Sequence, residues 1–355
     1  MRVLAALSGG VDSSVAAALL VEQGHEVVAV TMKLWGGESD TGCCSVSDVE
    51  DARRSAAQLG LEHHVFNFAD DFERHVVGPY VEEHLAGRTP NPCVECNRHL
   101  KFDVLLRRAE VLGFDAVATG HHARVVEVSG GGRRIGRGRD AAKDQSYVLY
   151  PLTAADLERV LLPIGDMTKD EVRRRAGELG LRTAAKPDSQ DVCFITRRDG
   201  RGAFVAARAE LHPGRVVDGS GAEVGTVDAV ELVTIGQRRG LELAGGSGRR
   251  FVTDVDVSTR TVTVGTEVEL RRDRLEVEHV VWAHGPVDGA VTVQCSAHGS
   301  PAPGTLAAGP DGSASLVWDR PQRRVAPGQS VVFYQDLPTA AGAVRPVVVG
   351  GGLVR

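Results

Sequence analysis

No stretch of this chain approaches the roughly 20 consecutive apolar residues that cross a bilayer, so no membrane partner is expected. Cysteine is scarce. Six in 355 residues are too few for a disulfide scaffold, and in a reducing compartment such thiols are more often catalytic or metal-binding than structural. Excess positive charge is also lacking, since the formal net charge is −6. That balance argues against nucleic acid, and no DNA partner is expected. Arginine nevertheless outnumbers lysine and gathers in clusters, as at Arg133, Arg134, Arg137 and Arg139 or Arg271, Arg272 and Arg274. Guanidinium groups suit bidentate phosphate contacts, so RNA stays open. Two familiar phosphate signatures are missing as well. There is no G-x-x-x-x-G-K-[ST], hence no P-loop lysine, and no G-x-G-x-x-G.

What is present is Leu7-Ser8-Gly9-Gly10-Val11-Asp12-Ser13-Ser14. The apolar run before it reads as a buried strand, and the residues from Val15 to Gln23 have helical spacing that ends at Gly24. Strand, glycine turn and helix in that order form an anion site. The glycines admit a phosphate close to the backbone, and the helix start offers unpaired N–H groups. An ordinary β-α turn is the bland alternative. The motif resembles the SGGxDS loop of the ATP pyrophosphatases, which split ATP between its α and β phosphates. A carboxylate at Asp12 suits magnesium-bound pyrophosphate, because hard cations prefer oxygen ligands.

The remaining chain divides by periodicity. Apolar content of 42% is ample for two or three domains. Strands are expected at 27–33, 64–68 and 115–119, separated by helices, one of them opened by a capping box at Ser47-x-x-Glu50 and another by Thr168-x-x-Glu171. This alternation predicts a parallel α/β sheet over residues 1–212. Residues 125–128 and 134–137 read as a hairpin. Beyond that, valine- and threonine-rich runs between Gly, Asp and Pro turns predict a small central β domain at 213–270 and a barrel-like one at 271–355. The first strand opens at Met1, leaving no room for a signal peptide, so a cytoplasmic location is expected.

The prolines of Thr89-Pro90-Asn91-Pro92-Cys93-Val94-Glu95-Cys96 are expected to keep the backbone extended and to expose both cysteines on a loop. Cys43 and Cys44 lie in the glycine-bearing loop from Trp35 to Ser45, and Cys193 follows Asp188-Ser189-Gln190. A structural zinc site would need a second suitably spaced pair, which Cys193 and Cys295 do not provide, although His121 and His122 could in principle complete one. Thiolates that attack sulfur, carry persulfides and resolve as disulfides fit better beside a phosphate site.

Taken in order, Ser8 to Ser13, Thr89 to Pro92 with Cys96-Asn97, Thr119-Gly120-His121, Lys143-Asp144-Gln145-Ser146-Tyr147, Asp188 to Gln190 with Cys193-Phe194, and Thr234 to Leu241 resemble the bacterial tRNA-specific 2-thiouridylase family (MnmA). So do Pro327-Gly328-Gln329 and the closing Gly350-Gly351-Gly352. The resemblance implies an N-terminal PP-loop ATP pyrophosphatase domain followed by two β-rich domains. It implies that ATP and Mg2+ bind at Ala6, Leu7, Ser8, Gly9, Gly10, Val11, Asp12 and Ser13, with Met32 and Gly120 bordering the nucleotide. It further implies that Asn91, Pro92 and Cys93 lie against a flipped wobble uridine and that Lys143, Asp144 and Gln145 contact the tRNA. Cys193, loaded as a persulfide by a donor protein, would deliver sulfur to an adenylated C2 position, with Cys96 resolving it through a Cys96–Cys193 disulfide. The β domains would grip the anticodon stem.

Two positions depart from the family pattern. Cys93 stands where many members carry an aspartate proposed as acid/base, and Gln294-Cys295-Ser296-Ala297 stands near the place of an expected Arg-Tyr pair. The extra thiol admits a [4Fe–4S] cluster on Cys93, Cys96 and Cys193. Two further readings stay open: an amide-forming ATP pyrophosphatase, for which no glutaminase module is seen, and a redox-sensing tRNA binder without turnover.

Overall fold

A computed structural model describes residues 1–34, 46–188, 192–195, 200–243 and 248–355. Cys43, Cys44, Ser189 and Gln190 lie outside them. Up to residue 188 the strands are β1 (Arg2–Ala6), β2 (Glu26–Lys33), β3 (His63–Asn67), β4 (Ala116–Ala118), β5 (Ala123–Glu127), β6 (Arg133–Arg137) and β7 (Val160–Leu161). Five of them form a parallel sheet in the order β3-β2-β1-β4-β7. Val3, Leu4, Ala116 and Val117 are completely buried, as expected for central strands covered on both faces. Strand order reverses between β1 and β4. Ligands of open α/β sheets bind outside the carboxyl ends of strands at such a point. Here those ends carry Ser8-Gly9-Gly10 and Thr119-Gly120.

Two expectations about helices are corrected. Ser47 is not an N-cap, because the described helix already begins at Val46. Pro92 does not hold an extended loop either. It occupies the first turn of a helix, Pro92–Glu95, which continues through a π-helical stretch, Cys96–Val104, into Leu105–Val111. The Asn91 side chain caps this helix by accepting a hydrogen bond from the Cys93 amide, and proline at the first helical position is pre-set for the required φ. The Thr168–Glu171 capping box forms as expected, opening the helix Lys169–Glu178.

Farther on, β8 (Gly214–Val217), β9 (Glu223–Val227), β10 (Glu242–Leu243), β11 (Phe251–Asp256) and β12 (Thr261–Gly265) make one sheet around Val216, Val252, Val262 and Val264. The last part comprises β13 (Arg271–Trp282), β14 (Gly289–Gln294), β15 (Ala302–Ala308), β16 (Ala314–Arg323), β17 (Ser330–Pro338) and β18 (Val344–Val354). These six close into a barrel where β13 pairs with β18. The hairpin β5–β6 belongs to the first part in sequence, yet β6 joins the barrel sheet through Val347 and Gly136.

Three regions meet at Thr89. Its amide donates to the Pro327 carbonyl (2.7 Å) and its hydroxyl to Thr234 Oγ1 (3.4 Å). The closing glycines allow close packing, Gly351 against the first region and Gly350 within the barrel. A β-carbon at Gly351 would stand 2.6 Å from the Tyr150 ring, and one at Gly350 would stand 2.7 Å from Trp282. Among the described residues no helix is long and apolar enough to cross a membrane.

Candidate active site

The chain leaves β1 into a turn that only glycine fits. Gly9 has φ +72°, and a β-carbon there would lie 2.3 Å from the Asp48 carbonyl oxygen. Gly10 is the N-cap of the helix Val11–Glu22 and supplies no side-chain cap, so the first amides are not taken by one. The Ser14 hydroxyl donates to the Gly10 carbonyl (2.9 Å), and the Ser8 amide donates to Ser13 Oγ (3.1 Å). Ser13 and Ser14 thus brace the turn from inside, while Ser8 is exposed. Leu7 and Val11 are buried beneath the turn, and Ala6 and Met32 are half-buried at the ends of β1 and β2. Gly120, at the end of β4, lies directly against Asp12 and Ser13.

Asp12 is surrounded by cations and imidazole. Lys169 Nζ reaches its two oxygens at 2.7 and 2.8 Å, and His122 Nε2 lies 3.2 Å away. Burial alone would raise the Asp12 carboxyl, but the bonds to His122 and Lys169 outweigh it and hold the group below the usual carboxylate range. Lys169 also contacts Asp188 (2.9 Å), which Lys143 and Arg173 each reach at 2.8 Å. On the other side of the turn, Lys186 Nζ donates to the Gly9 carbonyl (3.0 Å) and pairs with Asp48 (2.7 Å) and Asp51 (2.6 Å). Sequence reading missed Lys169, Lys186 and the Asp12–His122 contact. The capping box did place Lys169 at the start of a helix, but nothing local reveals that this start faces a loop 157 residues earlier.

Lys143, Asp144 and Gln145 join this network differently. Lys143 is exposed and bound to Asp188. The Asp144 carboxylate is nearly buried and accepts from Arg137 (2.9 Å), the Gly138 amide, the Ser146 amide and the Ser146 hydroxyl. Gln145 and His122 exchange two bonds, each 2.9 Å. Arg137 extends onward to Gln294 (2.9 Å) and stacks 3.8 Å over the Tyr334 ring, so the departing Gln294 is an interior strut rather than a surface group.

The cysteines are not laid out on an exposed loop. Cys96 is buried in the main apolar core, against which Cys193 also packs, and Cys93 is half-buried on the capped first turn. Phe194 fixes the Cys193 segment by edge contacts to Phe72 and Tyr80, both at 5.5 Å between ring centroids. Asn97 donates to the Cys93 carbonyl (2.9 Å), while its own Oδ1 is buried without a partner. Among the described residues, no three His, Cys, Asp or Glu side chains are arranged to hold a metal. Cys93, Cys96 and Cys193, the alternative set for a [4Fe–4S] cluster, accordingly do not form such a group among the described residues. His121 Nδ1 bonds to Thr119 (2.7 Å) and His122 Nε2 to Asp12 (3.2 Å), and among the described residues neither belongs to a group of three that could hold a metal. Burial pushes the Cys295 thiol up to about 12, which disfavours its thiolate.

Family models match the chain in three successive pieces. They are a tRNA methyl transferase HUP domain over residues 1–197, a tRNA methyl transferase PRC-barrel domain over 202–266, and an aminomethyltransferase beta-barrel domain over 272–354. A protein of Mycolicibacterium smegmatis named tRNA-specific 2-thiouridylase MnmA is 48% identical, covering 95% of this chain and 96% of its own. Namesakes from Roseiflexus sp. and Chloroflexus aurantiacus are 43% and 44% identical, covering 99% and 98% of this chain and 99% of their own. An anion loop at the switch point of a parallel sheet, thiols in the adjoining core and this likeness along both chains lead to one assignment: the chain belongs to the tRNA-specific 2-thiouridylase family.

Proposed function

We propose that this protein is an ATP-dependent tRNA-uridine 2-sulfurtransferase in which the glycine turn activates the RNA oxygen and the cysteines replace it. The observation that carries the reading is that an anion-binding loop, Ser8 to Ser13, and two core-anchored thiols, Cys96 and Cys193, belong to one domain of a thiouridylase-family chain.

ATP lies with its phosphates on Ser8 to Ser13 and its base bordered by Met32 and Gly120. Asp12 fits Mg2+ as a single hard ligand, because its carboxylate is held ionised and keeps 29% of its side-chain surface open. When bound, the ion supplies charge compensation for the leaving pyrophosphate. The uridine C2 oxygen attacks the α phosphorus, and the bond to the β-phosphate oxygen breaks with release of pyrophosphate. An adenylated oxygen leaves C2 where a free carbonyl oxygen would not. The terminal sulfur of a Cys193 persulfide then bonds to C2, and AMP departs. The Cys96 thiolate attacks Cys193 Sγ, so C2 keeps the sulfur and a Cys96–Cys193 disulfide remains for an external thiol to reduce. A persulfide donor protein reloads Cys193. Asn91, Pro92 and Cys93 border the base, and Lys143 offers the RNA backbone its exposed ammonium.

Cys193→Ser tests the sequence of events. It is expected to abolish thiolation while leaving tRNA-stimulated pyrophosphate release within about threefold of the parent. Normal thiolation by the variant would exclude the persulfide role. Absence of tRNA-stimulated pyrophosphate release from the parent, with donor protein present, would favour a binder without turnover.

A further inference from the structure

The two edges of the parallel sheet differ in how they are guarded. One is β7, only two residues long, and a short edge strand resists stray pairing. The other is β3, which runs five residues in unbroken register along β2. It carries no proline, lysine or carboxylate, and no bulge turns it aside. Among the described residues no strand pairs with its outer side. The Ala29 amide donates to the Glu62 carbonyl, and the Phe68 amide donates to the Lys33 carbonyl. Residues of a parallel strand alternate in the side they bond, so His63, Val65 and Asn67 direct their amides and carbonyls outward.

A groove of about 520 Å³ lies along this edge, between β3 and the helix Leu105–Val111. Phe66 and Phe68 line it, and at its rim Val65 and Val111 stay 48% and 81% exposed. Arg108 spreads over the Phe66 ring, 5.5 Å from its centroid, and has no carboxylate partner among the described residues. Asp71, also on the groove, adjoins Phe72, whose ring meets Phe194 beside Cys193. An unguarded edge beside an apolar groove suits an added strand, with main-chain bonds holding it and alternate side chains entering the groove.

We infer that β3 and this groove dock an extended segment of the protein that reloads Cys193, a segment alternating apolar and acidic side chains. The inference rests on the function proposed above. Backbone bonds to Val65 set the register of the added strand. Its apolar side chains cover Val65 and Val111, and a carboxylate meets the free guanidinium of Arg108. A chain of net charge −6 repels an acidic segment over much of its surface, so an unpaired cation beside an open edge selects this place. The Phe72–Phe194 contact sets the groove next to the segment that receives sulfur, which singles out the donor among acidic partners.

The test uses the full chain and two probes. The first is a fluorescein-labelled octapeptide alternating Val and Glu, compared by anisotropy with its Val–Lys counterpart. The Val–Glu peptide should bind at least tenfold more tightly. Val65→Pro removes an outward amide that β2 does not use, and Arg108→Glu reverses the charge; each should weaken that peptide at least tenfold. If thermal unfolding shows that Val65→Pro does not fold, Arg108→Glu decides alone. The second probe is a cysteine desulfurase supplied with L-cysteine, which carries its sulfur as a protein persulfide. Its control is glutathione persulfide, whose outer sulfur passes to the Cys193 thiolate as glutathione thiolate leaves. Both variants should thiolate tRNA at least tenfold more slowly with the desulfurase and within twofold of the parent with glutathione persulfide. Equal binding of the two peptides, or parent-like rates with the desulfurase, overturns the docking site. So does a parent dimer in sedimentation that Val65→Pro dissolves, because a second copy then occupies the edge. A parent that glutathione persulfide cannot drive would instead sink the proposed function.

Discussion

Gly120 lies against the backbone of Ser13 with no room for a side chain. A β-carbon at this position would stand 2.5 Å from the Ser13 amide nitrogen and 2.7 Å from the Asp12 carbonyl carbon. The φ of Gly120 is not positive, so packing alone demands glycine here. Gly120→Ala must push the end of β4 away from the glycine turn, at a cost of about 1–3 kcal/mol typical of overpacking. Because the displaced atoms are those of the anion loop, the KM for ATP should rise about tenfold or more. Gly177 is the control. It lies within the helix Lys169–Glu178 with open space where a β-carbon would go, so Gly177→Ala should stabilise by roughly 0.5–1 kcal/mol. Urea unfolding of both variants checks the opposite signs. Equal effects would show that the turn tolerates displacement.

A second consequence concerns pH. His84 is buried edge-on to Tyr80, 4.6 Å between ring centroids. Burial, reinforced by the nearby Arg201 charge, lowers its pKa to about 4. The unfolded chain keeps the ordinary histidine value of about 6.5, so between these values the unfolded state binds the extra proton. Stability associated with this site is therefore intact above pH 6.5 and falls as the pH drops towards 4. From pH 7 to 4.5 the loss from His84 is on the order of 2.5 kcal/mol. His84→Gln removes it. The parent should lose that much more stability than the variant over this interval in urea titrations, and parallel pH curves would refute the assignment.

The parallel sheet and its anion loop were legible because they are local: an apolar run, paired glycines and helical spacing lie within 24 residues. The strand-rich second half was legible for the same reason. What sequence could not show is where distant pieces converge. Arg137 sits on a strand that reads as a simple hairpin, yet it joins Asp144 to Gln294 and Tyr334 of the barrel. Lys169 is an unremarked helix-start lysine until the fold sets it on Asp12. The cysteine helix was missed for a different reason. Two prolines suggest extended chain, but Asn91 followed by Pro92 is equally a cap followed by a first helical residue. The thiols were consequently expected in solvent, whereas the helix turns Cys96 into the core.

That cap makes the last prediction. Asn91 Oδ1 accepts from the Cys93 amide at 3.1 Å, and this bond starts the helix carrying both Cys93 and Cys96. Asn91→Ala leaves the amide without its acceptor and should cost about 0.5–2 kcal/mol. Asn91→Asp retains an acceptor oxygen and adds negative charge at a helix N-terminus, so its stability should stay within roughly 0.5 kcal/mol of the parent. Activity should separate the two roles of the residue. If Asn91 acts only as a cap, the aspartate variant thiolates normally. If its amide also touches the uridine, the aspartate variant folds normally but thiolates at least tenfold more slowly, because a carboxylate cannot donate. Equal stability of the alanine variant and the parent in urea unfolding would show that the cap contributes nothing and that this helix is held by its core contacts alone.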